Sequence, residues 1–128
     1  MPNTVQEAKR YLDNAKEILR EKARKEDVYY QDKKYVKLAG HAAYTGVLVA
    51  LDYLFDEKTK KRKDVDWYKE RLSKMDKKVL NAFNGAYDTL HLAMGYDGTS
   101  VKTITDVGFE YANLLIDHCA ILCNQQKI

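Results

Sequence analysis

The longest apolar run in the chain covers residues 38–55 and carries no charged side chain before Asp52. A helix that is apolar on nearly all sides must be surrounded by other helices. Small residues in the run, among them Gly40, Gly46 and Ala50, allow neighbouring backbones to approach, and larger aliphatic side chains fill the remaining gaps. The run therefore predicts the central helix of a bundle.

Other segments place apolar residues at intervals of three and four, which is the spacing of one helix face. The expected helices are one starting at Thr4 with Glu7 in a capping box, the central helix capped by Asp32, a short helix near 66–72, a long helix over about 74–94, and a last helix capped by Ser100. Residues 26–31 are expected to form a short connection, and the turn at 95–98 should end the third long helix. In the last helix, Val107 and Tyr111 belong to the expected buried face. We therefore predict an all-α fold, an up-and-down four-helix bundle with a short extra helix before the third long helix.

Composition agrees with one helical domain over residues 1–128. The 128 residues are 45% hydrophobic and include one Pro and six Gly, which suits long amphipathic helices better than many short strands. The net charge of +3 comes from 22 basic and 19 acidic side chains. This excess is too small by itself to indicate nucleic-acid binding.

The location of the protein is predicted from its apolar segments and its cysteines. The N-terminus lacks the pattern of a secretory signal, so we expect a cytoplasmic protein. The run 38–55 is near the lower limit for spanning a membrane, but it contains His41 and Asp52, so we expect a buried helix and no membrane association. Cys119 and Cys123 lie four apart on one helical face, where backbone geometry disfavours a mutual disulfide. They are expected to be reduced and packed in the core.

Three local patterns carry a resemblance to a known superfamily. They are Ala8-x-x-Tyr11-Leu12-x-x-Ala15-x-x-Ile18-Leu19, Ala39-x-His41-Ala42-Ala43-Tyr44-x-Gly46-Val47-Leu48 and Phe83-x-x-Ala86-Tyr87-x-x-Leu90-His91. In these patterns and in the order of its helices the chain resembles the HEPN superfamily of small prokaryotic helical domains, in particular an uncharacterised branch. The resemblance implies a helical bundle that dimerises.

Catalytic HEPN proteins cleave RNA with an Arg followed, after four to six residues, by a His. The corresponding positions here are Lys34, Tyr35 and Val36 before His41, Asn84, Gly85 and Ala86 before His91, and Tyr111, Ala112 and Asn113 before His118. None of these residues is Arg. Lys34 has a charge but lacks the two-pronged guanidinium, and Asn113 has no charge to stabilise a phosphorane. Catalysis by the superfamily's route is therefore not predicted.

Other catalytic and metal-binding patterns are incomplete. Asp88-x-x-His91 imitates one half of a di-metal carboxylate site, but the chain has no Glu-x-x-His and no second copy. His41 in the apolar run is more typical of a hydrogen-bonded core histidine than of a catalytic base. The residues that could form a polar site are His41, Asp88, His91, Asn113 and His118. We predict no metal, no cofactor and no catalytic residues, and an enzyme is the minority interpretation.

The segment after the central helix is rich in basic residues: Lys58, Lys60, Lys61, Arg62 and Lys63. It is either a solvated loop, which is the more usual case, or a surface for a charged partner such as RNA. The ten tyrosines favour an interaction surface, because tyrosine combines apolar area with a polar tip. The function predicted is a non-catalytic, HEPN-like binding module that forms a homodimer or binds another protein. The alternative is an RNA-directed, toxin-type nuclease, or a degenerate relative of one, that uses His118 or His41 with the basic loop.

Overall fold

A computed structural model describes residues 4–55 and 63–126 of the chain. The helices are α1 (Thr4–Lys22), α2 (Lys33–Leu54), α3 (Val65–Ser73), α4 (Lys77–Ala86) and α5 (Lys102–Gln126), and a π-helical segment (Tyr87–Tyr96) continues α4. The only strands in these two ranges, β1 (Lys25–Glu26) and β2 (Tyr29–Tyr30), form an antiparallel hairpin. The prediction of an all-α fold is confirmed, with this hairpin as an addition.

Helix α2 is the central helix, as its apolar run predicts. It contacts α1, α5, α4 and the π-helical segment. A Cβ atom at Gly46 would lie 2.8 Å from the Ala8 carbonyl oxygen of α1, and one at Gly40 would lie 2.6 Å from the Leu90 carbonyl oxygen of the π-helical segment. These distances are shorter than van der Waals contact, so α2 touches the backbones of two neighbours on different faces.

Aspartates set the starts of α3 and α4. The Asp64 carboxylate accepts a hydrogen bond from the Trp67 amide at 2.9 Å, and the Asp76 carboxylate accepts one from the Val79 amide at 3.0 Å. The short helix before the third long helix is therefore confirmed. The long helix starts at Lys77 rather than near residue 74, because Asp76 caps it.

The predicted connection at residues 26–31 contains most of the β-hairpin, and this hairpin is hydrogen-bonded to the start of α5. The Tyr30 amide donates to the Ser100 carbonyl at 2.7 Å, and the Lys102 amide donates to the Val28 carbonyl at 3.1 Å. Ser100 was expected to cap α5, but the hairpin carbonyl satisfies the amide of Lys102, its first residue. Asp32 precedes α2 as predicted, although its side chain accepts no hydrogen bond from the first turn of that helix.

The π-helical segment ends where the sequence predicts a turn. The Asp97 amide donates to the Leu92 carbonyl, five residues earlier, at 2.9 Å, and Gly98 follows with a φ angle of +64°. A left-handed residue of this kind is the usual way to end a helix, and glycine adopts it without a steric cost. The wider π-helical turn was not predicted, since Leu90 and Met94 are spaced by four and fit an α-helix equally well.

Both cysteines are buried and are free thiols, as predicted. Burial, with lesser effects from Cys123 and Asp76, raises the pKa of the Cys119 thiol to about 12. Cys119 is therefore protonated at neutral pH and a poor nucleophile. Among the described helices, none is both long enough and apolar enough to cross a bilayer.

The contact of Gly46 with α1 generates a prediction for stability. Replacing Gly46 with Leu should lower the free energy of unfolding by about 1–3 kcal/mol or more, because the new side chain must displace the α1 backbone at Ala8. Chemical denaturation followed by circular dichroism measures the loss. Thr45→Ala, on the exposed side of the same helix, is the control and should shift stability by no more than about 0.5 kcal/mol. Equal stability of Gly46→Leu and the unmodified protein would contradict the contact.

Candidate functional site

Two of the predicted polar residues, His41 and His91, are brought together beside the π-helical segment. The His91 ring lies 4.8 Å from the ring of Tyr44 and 5.1 Å from that of Tyr87, measured between centroids. His41 lies one turn before Tyr44 on α2, and a Cβ atom at Gly95 would be 3.5 Å from its Cε1 atom. We call these four residues, His41, Tyr44, Tyr87 and His91, the histidine–tyrosine cluster.

Burial shifts the pKa of two members of this cluster, His91 and Tyr44, whereas His41, expected to be a core histidine, is exposed. Burial, and secondarily the charge of His41, lowers the pKa of His91. Burial also raises the pKa of the Tyr44 hydroxyl, with a smaller contribution from Tyr87. The Nδ1 atom of His91 is buried and has no hydrogen-bond partner within the described part of the chain. At neutral pH the His91 imidazole is thus neutral and the Tyr44 hydroxyl is protonated.

A neutral imidazole can accept a proton, but the cluster offers no nucleophile with a pKa lowered for reaction. Asp88, one turn before His91, is exposed. In the two described ranges, no three His, Cys, Asp or Glu side chains lie close enough to hold a metal ion. Sequence reasoning did not include Tyr44 and Tyr87 in the site. The available signal was their spacing from the histidines. Tyr44 follows His41 by three residues in α2, and His91 follows Tyr87 by four residues in the π-helical segment.

The other two predicted polar residues lie elsewhere, on α5. Asn113 lines a groove between α1 and α5. His118 is half-buried and follows Asn113 by five residues, which places it about 140° further around the helix. The five predicted residues therefore do not form one site: His41 and His91 are neighbours, whereas Asn113 and His118 face different surroundings.

Lys63 is the one residue of the predicted basic loop that the structure describes, since Lys58, Lys60, Lys61 and Arg62 lie outside the described residues. Its Nζ atom is 3.0 Å from the Asp52 carboxylate, and its side chain is only 11% exposed. The same carboxylate oxygen accepts a hydrogen bond from the Tyr68 hydroxyl at 2.8 Å. The Lys63 ammonium also lies 5.4 Å from the centroid of the Trp67 ring. Its charge is therefore engaged within the fold.

Helix α5 exposes a stripe of apolar side chains on the face opposite the core. The stripe consists of Val107, Tyr111, Leu114 and Ile121, which are 41%, 36%, 48% and 52% exposed, with the half-buried His118 among them. These residues fall within an arc of about 80° around the helix. We call this set the α5 stripe. Val107 and Tyr111, expected in the core, are 41% and 36% exposed, whereas Phe109 and Ile116 lie on the buried face. Tyr111 is at the edge of the stripe, where its ring packs against Gly85 of α4.

Comparison with known proteins gives the family. The family model of a domain of unknown function, DUF5618, matches residues 3–120. This chain belongs to the DUF5618 family. No curated protein matches it.

Among solved structures, a protein of unknown function from Dyadobacter fermentans is similar to this DUF5618 chain. It is 58% identical, has a TM-score of 0.86, and the alignment covers 91% of this chain and 93% of that chain. Neither DUF5618 nor this structure carries the name of the HEPN superfamily, so that resemblance rests on the sequence patterns. Both matches are to proteins of unknown function.

The environment of His91 predicts a pH dependence of stability. Because its pKa is lowered in the folded state, the unfolded chain binds more protons as the pH falls below the ordinary value of 6.5. The free energy of unfolding should therefore fall with the pH in that window. His91→Phe should flatten the dependence, as measured by urea denaturation between pH 7 and pH 5. His41→Gln should leave most of it, since burial is the larger cause, and an unchanged slope in His91→Phe would contradict the assignment.

The Asp52 carboxylate should matter for stability through Lys63. Asp52→Ala should lower the free energy of unfolding by about 1–3 kcal/mol, because it leaves a largely buried ammonium without its carboxylate. Thermal or chemical denaturation measures the change. Asp13→Ala removes an exposed carboxylate from α1 and is the matched control. A loss no larger than that of the control would show that the pair contributes nothing.

Proposed function

We propose that this DUF5618 domain is a non-catalytic, HEPN-like interaction module that acts as a homodimer, with the α5 stripe as the contact surface. The observation that carries the proposal is the exposure of four large apolar side chains along one face of one helix. Single exposed apolar residues are ordinary, whereas a continuous row on one face marks an interaction site. Tyrosine at such a site adds large area with few rotatable bonds.

The order of residues in the stripe supports a second copy of the chain as the partner. Leu114 is at the centre, Tyr111 and His118 follow on its two sides, and Val107 and Ile121 stand at the ends. The stripe therefore reads almost the same in both directions. In an antiparallel contact, a two-fold axis near Leu114 would place Tyr111 of each copy against His118 of the other, which is the reciprocal pairing of an isologous interface.

The charges beside the stripe are also compatible with self-association. Asp106, Glu110 and Asp117 flank it on one side, and an antiparallel two-fold contact brings this acidic flank next to its own copy. Lys102 lies 2.6 Å from Asp106, and Lys9 lies 2.8 Å from Asp117. These ion pairs within each chain reduce the repulsion between the two acidic flanks.

The chemistry of the histidine–tyrosine cluster supports a function without catalysis. A nuclease of the HEPN type needs a cation beside its histidine to stabilise the charge that develops on phosphate. The positions from which an Arg would serve His91 are Asn84, Gly85 and Ala86. The rings of Tyr44 and Tyr87 pack against this imidazole, and the Lys69 ammonium lies over the Tyr87 ring, 5.1 Å from its centroid.

The test compares the same substitution on two faces of the protein. Leu114 and Leu38 are 48% and 49% exposed, on α5 and α2 respectively. We expect the unmodified protein to sediment as a dimer, Leu114→Glu as a folded monomer, and Leu38→Glu as a dimer, because only the first places a charge in the contact. Sedimentation velocity measures the mass, and circular dichroism checks the fold.

A monomer at every protein concentration, or a dimer that only Leu38→Glu disrupts, would contradict the proposed surface. Specific RNA cleavage by the purified protein would contradict the non-catalytic assignment and favour the nuclease alternative. In that case His118→Ala and His41→Ala would identify the histidine involved. Dimerisation and cleavage are measured separately, so each part of the proposal can fail alone.

A further inference from the structure

A groove of about 440 Å³ lies between α1, the β-hairpin and α5, away from the α5 stripe. Its floor contains Leu19, Tyr30 and Phe109, which are 4%, 8% and 7% exposed. One side chain comes from each of the three elements. The volume falls in the range of pockets that hold small molecules, and two of the three floor residues are aromatic.

The rim of the groove is basic on the side formed by α1 and the hairpin. This side of the rim carries Lys16, Arg20 and Lys25. The Lys16 ammonium is 5.6 Å from the centroid of the Phe109 ring. On the α5 side, Lys102 is paired with Asp106 at 2.6 Å, so its charge is matched within the chain. Arg20 lies 3.8 Å from Glu21, and Glu110 adds a second carboxylate on the α5 side. The lining still carries four cations against two carboxylates, and Lys16 and Lys25 have no ion pair among the described residues, so the groove favours an anion.

The hairpin that supplies Lys25 and Tyr30 is held in a strained form. Arg24 and Asp27 have φ angles of 55° and 59°, a left-handed conformation that glycine adopts more readily than residues with a side chain. The Gln31 amide donates to the Arg24 carbonyl at 3.1 Å, and the Tyr30 amide donates to Ser100 at 2.7 Å. Local strain that neighbouring contacts maintain is often found at ligand sites. Here the hydrogen bonds of the hairpin hold Lys25 and Tyr30 at the groove.

We propose that this groove binds a small organic anion with an aromatic body, such as an aryl carboxylate, sulfonate or phosphate. The aromatic ring lies on the floor formed by Leu19, Tyr30 and Phe109, where it is removed from water. The anionic group points towards Lys16, Arg20 and Lys25, which provide charge-assisted hydrogen bonds. Asn113 closes the groove on the α5 side and offers an amide to a polar substituent of the ring. The groove contains no residue of the α5 stripe itself, but Asp106 and Glu110, which flank the stripe, form part of the groove's α5 wall.

The probe for this site is 8-anilinonaphthalene-1-sulfonate, which combines an aromatic body with one anionic group and fluoresces when it leaves water. We expect saturable binding with one dye per chain. Lys16→Met with Arg20→Met should weaken it by about tenfold or more, as expected for the loss of charge-assisted contacts. Asn113→Trp, which fills the groove without removing a cation, should weaken it as well. N-Phenyl-1-naphthylamine, which has the same rings and no sulfonate, should bind more weakly than the sulfonate.

Two control variants separate this site from other surfaces. Lys78→Met removes an exposed cation from α4, and Leu114→Glu alters the α5 stripe, and both should leave dye binding unchanged. Absence of saturable binding would overturn the proposal, as would binding that survives both groove variants. Binding lost only in Leu114→Glu would place the dye on the α5 stripe. Equal affinity for the neutral analogue would refute an anion site.

Discussion

The backbone of α2 lies directly against α1 and against the π-helical segment, and this contact exists because Gly46 and Gly40 carry no side chain. A helix surrounded in this way loses its freedom to rotate or slide, since closely packed neighbours leave little empty space between them. The positions of the other elements follow. The approach at Gly40 brings the π-helical segment close enough for His91 to reach Tyr44, and the approach at Gly46 places α1 beside α2.

Much of this architecture can be predicted from the chain because its strongest signal, the apolar run, belongs to the element with the most neighbours. The parts that cannot be predicted have physical reasons. The hairpin depends on left-handed backbone at Arg24 and Asp27, where the sequence has none of the glycines that usually mark such a turn. Helix α5 carries apolar residues on two faces, and periodicity alone does not say which of them meets the core.

The candidate site, too, could be predicted from the sequence only in part. The proximity of His41 and His91 follows from two helices that cross closely, but it requires knowing that the π-helical segment, and not α5, lies against the start of α2. Asn113 and His118 were predicted to join them only because their side chains are polar. A separation of five residues on one helix makes those two side chains point in different directions. Lys63 belongs by sequence to a run of cations, yet its burial beside Asp52 depends on Tyr68 and Trp67 from α3. A sequence pattern does not show which distant segments of the chain come into contact.

The hydrogen bonds between the hairpin and the start of α5 join parts of the chain that are far apart in sequence. Tyr30 and Ser100 bond through their backbones, as do Val28 and Lys102, so the end of α1 and the beginning of α5 form one cooperative unit. Closing such a long loop is entropically costly early in folding, when few other contacts compensate for it. The groove between α1, the hairpin and α5 therefore belongs to a region that assembles late. In the native protein the amides of the hairpin and of the first turn of α5 should exchange with solvent together, because neither element can open without breaking these bonds.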